Sequence, residues 1–348
     1  MSCKSIRMMF HPLNSKGRLF YILIALFTLF STFDSHADDI CKIKHLNTST
    51  PVELLKINST STLKAKRGVN QFQVNCFVKN GGVLSFLRPG LDSFSLQQNN
   101  TIKTPLRSGQ LAYMMEPGSY IATITLESKL NYTPRFKWQA THTYFEKAQQ
   151  HSLIMGSFYG LCITLIFYVL IMGSRLNQSV FKLYSIYIFC IGSFILLQEG
   201  QLYLFIPQHV SGVIFNLYLL SIGLTVLSAT WFMLTLLETA KRWPLATNLL
   251  KILACIVMLC AVLKMLVNHL LVWTIAGHVM AYSSLFIVAV IFTLAAMQAR
   301  KGVHEATLVF VALSFVLVSM IFRVLLIDHS PFMQRYGFVL AFAIESFY

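Results

Sequence analysis

The sequence predicts an exported all-β sandwich followed by an all-α bundle of seven transmembrane helices, the seventh incomplete. Three observations predict it. Hydrophobic residues make up 55% of the 348 residues and charged ones 12%, with a mean hydropathy of +0.62, the balance of a membrane protein rather than a soluble core. The polar residues gather in one block, residues 38–150, where apolar positions alternate with polar ones. After that block the apolar residues run on in stretches of bilayer length.

Residues 1–37 have the three parts of a secretory signal. Lys4, Arg7, Lys16 and Arg18 form a basic region, Leu19 to Phe30 an apolar one, and Ser35-His36-Ala37 a small-residue cleavage site before Asp38-Asp39. Cleaved signal or uncleaved anchor, the segment exports the polar block behind it. The net charge of +15 is scattered over this segment, residues 40–147 and short loops, with no basic stripe of the kind that tracks a phosphate backbone. Nucleic acid is therefore not an expected partner.

In residues 38–150, Phe72, Val74 and Cys76 alternate with Gln71, Gln73 and Asn75. Tyr120, Ala122, Ile124 and Leu126 alternate with Ile121, Thr123 and Thr125, and Phe136, Trp138 and Ala140 with Lys137 and Gln139. Period-two patterning means strands with one buried face. Turn signals separate them at Asn80-Gly81-Gly82, Arg88-Pro89-Gly90, Gln98-Asn99-Asn100, Glu116-Pro117-Gly118 and Asn131–Pro134. Short strands at this spacing suggest a sandwich. Of seven cysteines, Cys3 lies in the signal and Cys162, Cys190, Cys255 and Cys260 lie in apolar runs. Cys41 and Cys76 remain, and in an oxidising compartment they can form a disulfide or stay as two buried thiols.

The apolar runs are Leu153–Gly173, Phe181–Leu197, Val213–Leu237, Leu249–Val267, Leu271–Met297, Thr307–Ile327 and Phe332–Tyr348. A spanning helix needs about 20 apolar residues, so the last run is short and residues 151–348 read as a seven-helix domain truncated in helix seven, the sensory half of a longer protein. With residues 38–150 outside, Arg175, Lys182, Lys241, Arg242, Lys251, Arg300 and Lys301 fall inside. Only Lys264, Arg323 and Arg335 fall outside. That asymmetry obeys the positive-inside rule and puts the C-terminus in the cytoplasm.

No catalytic motif stands out. His304-Glu305-Ala306-Thr307-Leu308 lacks the second histidine of a zinc helix, and no Cys-x-x-Cys spacing, phosphate-cradling Gly-rich loop or nucleophile loop occurs. Neither a metal nor a cofactor is expected. A transporter would show internal repeats or broken helices, and neither is visible. Ionisable residues near the membrane are costly and therefore candidates for signal transmission. They are Glu199 at the end of helix two, His278 in helix five, Arg323 at the end of helix six and Glu345 in helix seven. Each also has a plainer reading as an interfacial, packing or paired residue.

Further motifs carry a resemblance. Phe158-Tyr159-Gly160 with Phe167-Tyr168 opens helix one. Lys182-Leu183-Tyr184 opens helix two, followed by Gln198-Glu199-Gly200-Gln201-Leu202-Tyr203 and Pro207. Phe232-Met233-Leu234 precedes Pro244, and Gly337 precedes Ile344-Glu345-Ser346. Together with the order of domains, they resemble the bacterial seven-transmembrane receptors with diverse intracellular signalling modules. Arg88-Pro89-Gly90-Leu91-Asp92 resembles a stretch of one extracellular domain type of that family, a jelly-roll-like sandwich similar to carbohydrate-binding modules. The resemblance implies a multi-pass protein of the bacterial inner membrane, with a periplasmic sensor domain that binds a small ligand such as a carbohydrate. Its partners would be the lipid bilayer, a second copy of the chain, and a cytoplasmic output module or separate protein. In the family that module is a diguanylate cyclase, a histidine kinase or another signalling enzyme. Tyr113, Tyr120, Tyr132, Trp138 and Tyr144 are the aromatic candidates to stack on a sugar, or else to build the core.

Overall fold

The computed structural model describes residues 40–46, 55–56, 61–63, 65–79, 81–86, 91–99, 101–128, 134–176, 179–206, 211–267 and 269–303, with scattered positions from 306 to 317. The expected export signal at 1–37, Tyr132, most of the sixth predicted span and the whole of the seventh lie outside the described residues, as do Arg323 and Glu345.

Among the described residues, ten strands form two antiparallel sheets. They are β1 (Ile40–His45), β2 (Leu55–Lys56), β3 (Ser61–Thr62), β4 (Gly68–Val78), β5 (Gly82–Phe86), β6 (Leu91–Gln98), β7 (Thr101–Lys103), β8 (Leu111–Met115), β9 (Gly118–Ser128) and β10 (Arg135–Ala140). One sheet has the order β2-β1-β4-β9-β6-β7 and the other β3-β10-β5-β8. Each of the five turn signals falls at or between the ends of consecutive strands. The alternating residues meet in register: Phe72 faces Ile124, Val74 faces Ala122 and Cys76 faces Tyr120. Phe136 of β10 sits 5.3 Å from Phe72 across the sandwich and 5.3 Å from Phe86, its neighbour on β5, centroid to centroid. Burying each such ring contributes about 1.5–3 kcal/mol. Cys41 and Cys76 are register partners on β1 and β4, and a disulfide joins them.

The four-stranded sheet differs from the six-stranded one because β5 is buried along its whole length. Val83 and Ala112 turn away from the sandwich core and pack on Tyr144, with Leu106 and Ala148 alongside. Tyr144 and Ala148 belong to α1 (Thr141–Leu176). At about 1.5 Å per residue a helix of this length, 36 residues, spans about 54 Å, well beyond a hydrocarbon core of about 30 Å. Its first turns are therefore free to cover the sheet. The boundary expected at residues 150/151 falls inside this continuous helix.

Four more long helices follow among the described residues: α2 (Ser179–Gln198), α3 (Ser211–Leu236), α4 (Pro244–Leu266) and α5 (Leu270–Ala299). All five are long and apolar enough to cross a membrane. The first five predicted spans coincide with them, to within a few residues at their C-terminal ends. Neighbours in sequence pack on one another. At Gly223 an added Cβ would come 2.9 Å from Met258 Sδ, so glycine lets α3 and α4 approach closely. Phe232 of α3 lies against both Tyr184 and Tyr187 of α2, at 4.9 and 5.6 Å. Phe167, Ile171, Phe189, Leu259 and Leu285 remain exposed on the helix surfaces, as lipid-facing positions do.

Candidate functional site: the joint between sandwich and helices

Among the described residues, the sandwich meets the bundle at three places at least. The first is the overhang of α1 on the four-stranded sheet. The second is the loop between α2 and α3, which begins Glu199-Gly200 and continues as a 3-10 turn, Gln201–Leu204. Gly200 has φ +67°, a left-handed conformation that glycine adopts without penalty. Its backbone lies against Gly109 in the strand connection before β8. A Cβ on Gly109 would come 2.6 Å from the Glu199 carbonyl oxygen, and a Cβ on Gly200 would overlap the Gly109 carbonyl oxygen. Each glycine leaves the space the other needs, so neither position accepts a side chain while the two loops touch. The third place is β6, which lies against α3.

Beside the glycines is a buried polar group of three. Gln201 Nε2 stands 2.8 Å from His151 Nε2. His151 Nε2 stands 3.7 Å from Glu199 Oε2, with side-chain exposures of 7% and 15%. Tyr144, Ala148 and His151 recur at helical spacing on one face of α1, and that face brings the imidazole to the loop. A neutral His151 accepts the Gln201 amide hydrogen at Nε2. A protonated one must donate there instead, to the Glu199 carboxylate or to a Gln201 amide turned to present its oxygen. The group thus has two hydrogen-bonded arrangements at one place. The hydroxyl of Tyr159, two turns further along α1, is buried with no hydrogen-bond partner among the described residues.

A cleft of about 470 Å³ opens beside this group. Its walls are the connection Leu106–Gln110, the outward side chains of β10, the α1 overhang, and Gln201 and Leu204. Tyr144 closes one side and donates its hydroxyl to Ser108 Oγ at 3.0 Å.

Of the aromatic candidates, Tyr113, Tyr120 and Trp138 belong to the sandwich core, at 1%, 8% and 3% exposure, and offer no open ring face to a ligand. Trp138 fills the space over Gly82, where a Cβ would collide with its ring. Tyr144 alone of the described candidates lines the cleft. Among the transmission candidates, Glu199 sits in the joint. His278 lies on the exposed side of α5, stacked on Tyr282 with centroids 6.0 Å apart, and does not join it. Gly109 and His151 were not singled out by the sequence. A lone glycine between Ser108 and Gln110 gives no pattern. His151 could have been found from its helical spacing with Tyr144, had the overhang been recognised as helix.

A family model described as 7TM diverse intracellular signalling matches residues 151–348, more than half of the chain. The chain belongs to this family. The match begins at His151, the residue of α1 that enters the joint. No curated protein matches the chain. Membership, together with five membrane-length helices, makes the chain a multi-pass membrane receptor that relays a signal to an intracellular partner.

Proposed function

We propose that this receptor sits in a bacterial inner membrane, with residues 1–37 directing export, residues 38–150 in the periplasm and the C-terminal side in the cytoplasm. The sandwich binds a small periplasmic ligand, of which a carbohydrate is the class its motifs suggest. The bundle passes the bound state to a cytoplasmic output module or partner protein, working as a homodimer. The loop charges support this orientation through the positive-inside rule. The observation that carries the relay is the reciprocal glycine contact between Gly109 and Gly200 beside the buried His151–Gln201–Glu199 group. A ligand shifts such a joint only by binding one of its arrangements more tightly than the other.

Amide hydrogen exchange of the full chain in lipid nanodiscs tests the relay, with neutral and acidic sugars screened as ligands. Protection of residues 104–110 should be accompanied by altered exchange at the far helix ends, Leu234–Arg242, and Gly109→Val should abolish the second effect. Ligand protection confined to the sandwich in the wild-type chain would show that the joint transmits nothing.

A further inference from the structure

We infer that the groove between α3 and α4 at the far helix ends seats the headgroup of an anionic phospholipid, with Lys251 as its phosphate contact. The inference is separate from the periplasmic ligand and rests on the bundle lying in a bilayer. Lys251 follows Pro244, the first residue of α4, by seven positions. At about 1.5 Å per residue it stands about 10 Å along the helix. That is inside the apolar run, where a charge is costly unless it reaches the membrane surface or a partner. Side chains lean toward the N-terminus of their own helix. The start of α4 is its far end, so the Lys251 stem leans toward the headgroups. Its ammonium stands 5.5 Å from the centre of the Trp231 ring on α3. The ring attracts the charge and fixes where it stands without neutralising it. Both side chains are half-buried, as in a groove open on one side.

The groove has an acyl-chain track and a charged rim. Leu245, Leu249, Ile252, Ile256, Leu259 and Leu263 recur at helical spacing and are all exposed. They form a lipid-facing strip that runs along α4 beside Lys251. At the start of α4, the one-turn helix Thr239–Arg242 carries Lys241 and Arg242 next to one carboxylate, Glu238. Among the described residues this rim is therefore net positive. A zwitterionic headgroup places an ammonium group against the rim and a glycerol headgroup does not, so charge selects the anionic lipid. A free phosphate has no chains to cover the apolar strip. A second lysine of α4 also lies over a tryptophan, and the contrast is instructive. Lys264 Nζ stands 4.8 Å from the centre of the Trp273 ring. Lys264 belongs to the last turn of α4, so its stem leans back along the span, and a Cβ on Gly277 would come 3.4 Å from its Nζ. Trp273 is buried and donates its indole N–H to the Val267 carbonyl at 2.7 Å. That pair is packed between helices, whereas Lys251 and Trp231 border the lipid strip.

Native mass spectrometry tests this on the full chain, released from nanodiscs that hold equal amounts of phosphatidylglycerol and phosphatidylcholine. It counts the lipids that stay bound. Thermal unfolding in the mixed discs and in phosphatidylcholine alone gives the matching stability. We expect phosphatidylglycerol to be retained over phosphatidylcholine by about fivefold or more, and to raise the unfolding temperature. Lys251→Gln should abolish most of that preference, Lys251→Arg should keep it, and Lys264→Gln should leave it unchanged. Arg242→Gln, at an exposed position, should reduce the preference without disturbing the packing, and it decides the matter if Lys251→Gln does not fold. Equal retention of the two lipids overturns the inference, as does a preference untouched by Lys251→Gln and Arg242→Gln or lost equally in Lys264→Gln. Inorganic phosphate that stabilises the chain in phosphatidylcholine discs as strongly as phosphatidylglycerol does, with the effect lost in Lys251→Gln, also overturns it, because the site then belongs to a soluble anion. None of these outcomes bears on the receptor reading, which is judged separately by the coupled hydrogen exchange of sandwich and far helix ends.

Discussion

At the sandwich end of the helices, His151, Gln201 and Glu199 bury polar and ionisable side chains against one another. At the far end, two buried polar contacts among the described residues are neutral. Gln298 Nε2 donates to the Leu237 carbonyl at 3.0 Å, and the Thr239 and Thr247 hydroxyls meet at 3.0 Å. The far end's ion pair, Glu238 with Lys241 in the one-turn helix Thr239–Arg242, stays exposed. These neutral hydrogen bonds involve no group that gains or loses a proton near neutral pH, and they tie the end of α3 to α4 and α5. A histidine buried between an amide and a carboxylate can take up a proton and must then change its hydrogen bonding. The difference teaches where a change of protonation can alter contacts between elements, at the sandwich end, and where contacts are indifferent to it, at the far end.

The largest effect should come from removing one partner of the buried group. His151→Leu removes one partner of the Glu199 carboxylate in a desolvated place and should cost about 2–3 kcal/mol. Adding Glu199→Gln should restore much of that loss. Thermal unfolding of the two single variants and the double variant gives the coupling between them, and strictly additive losses would show that the two side chains do not act as a pair.

Gly109→Val comes next. Its side chain cannot fit against the Glu199 carbonyl oxygen, and forcing it in should cost about 1–3 kcal/mol. The loops would separate before the sandwich unfolded. Faster amide exchange at residues 104–110 and 199–204, with the β4–β9 ladder unchanged, is the expected result. Unaltered exchange at both loops would mean that the glycine contact holds nothing together. At the far end, Gln298→Leu leaves the Leu237 carbonyl unpaired and should cost about 1–2 kcal/mol. Its expected signature is lower stability with ligand response retained. If the response vanished while the helices stayed folded, the far end would not be the fixed partner in this comparison.

The same contrast explains what the sequence disclosed. Alternation was readable wherever one face of a strand was buried, so Phe72–Cys76, Tyr120–Leu126 and Phe136–Ala140 were assigned from pattern alone. It failed at β5, where Gly82–Phe86 is buried on both faces because α1 lies across the sheet. Hydropathy marked the apolar part of α1 from Leu153, but the polar run Gln149-Gln150-His151 concealed its helical start at Thr141. That concealed stretch is the one that carries Tyr144, Lys147 and His151 to the cleft. Glu199 was visible as a charge at a helix end. Its partners were not, because they come from residues some 50 to 90 positions earlier in the chain. Aromatic residue type likewise could not separate Trp138, which fills the core, from Tyr144, which borders the cleft.

The smallest effect belongs to the exposed pair at the far end. Lys241 Nζ donates to Glu238 Oε2 at 2.9 Å, with side-chain exposures of 75% and 61%. That hydrogen bond and the Lys241 charge, with help from Arg242, hold the Glu238 carboxyl below its ordinary range. A depressed carboxyl stabilises the folded chain above the pH at which the unfolded carboxyl ionises, about 4.3. The contribution fades as pH falls through the lower folded value. Because both groups are in water, salt screens them. NMR titration of the Glu238 carboxyl should give a midpoint below that in Lys241→Ala, and the gap should shrink in 1 M salt, where the Debye length is about 3 Å. The His151–Glu199 coupling from the double-variant cycle should change far less in the same salt, since its partners are shielded from solvent. Equal salt sensitivity at the two ends would mean that the joint is open to water, and the buried two-arrangement group would then lose its special place in the relay.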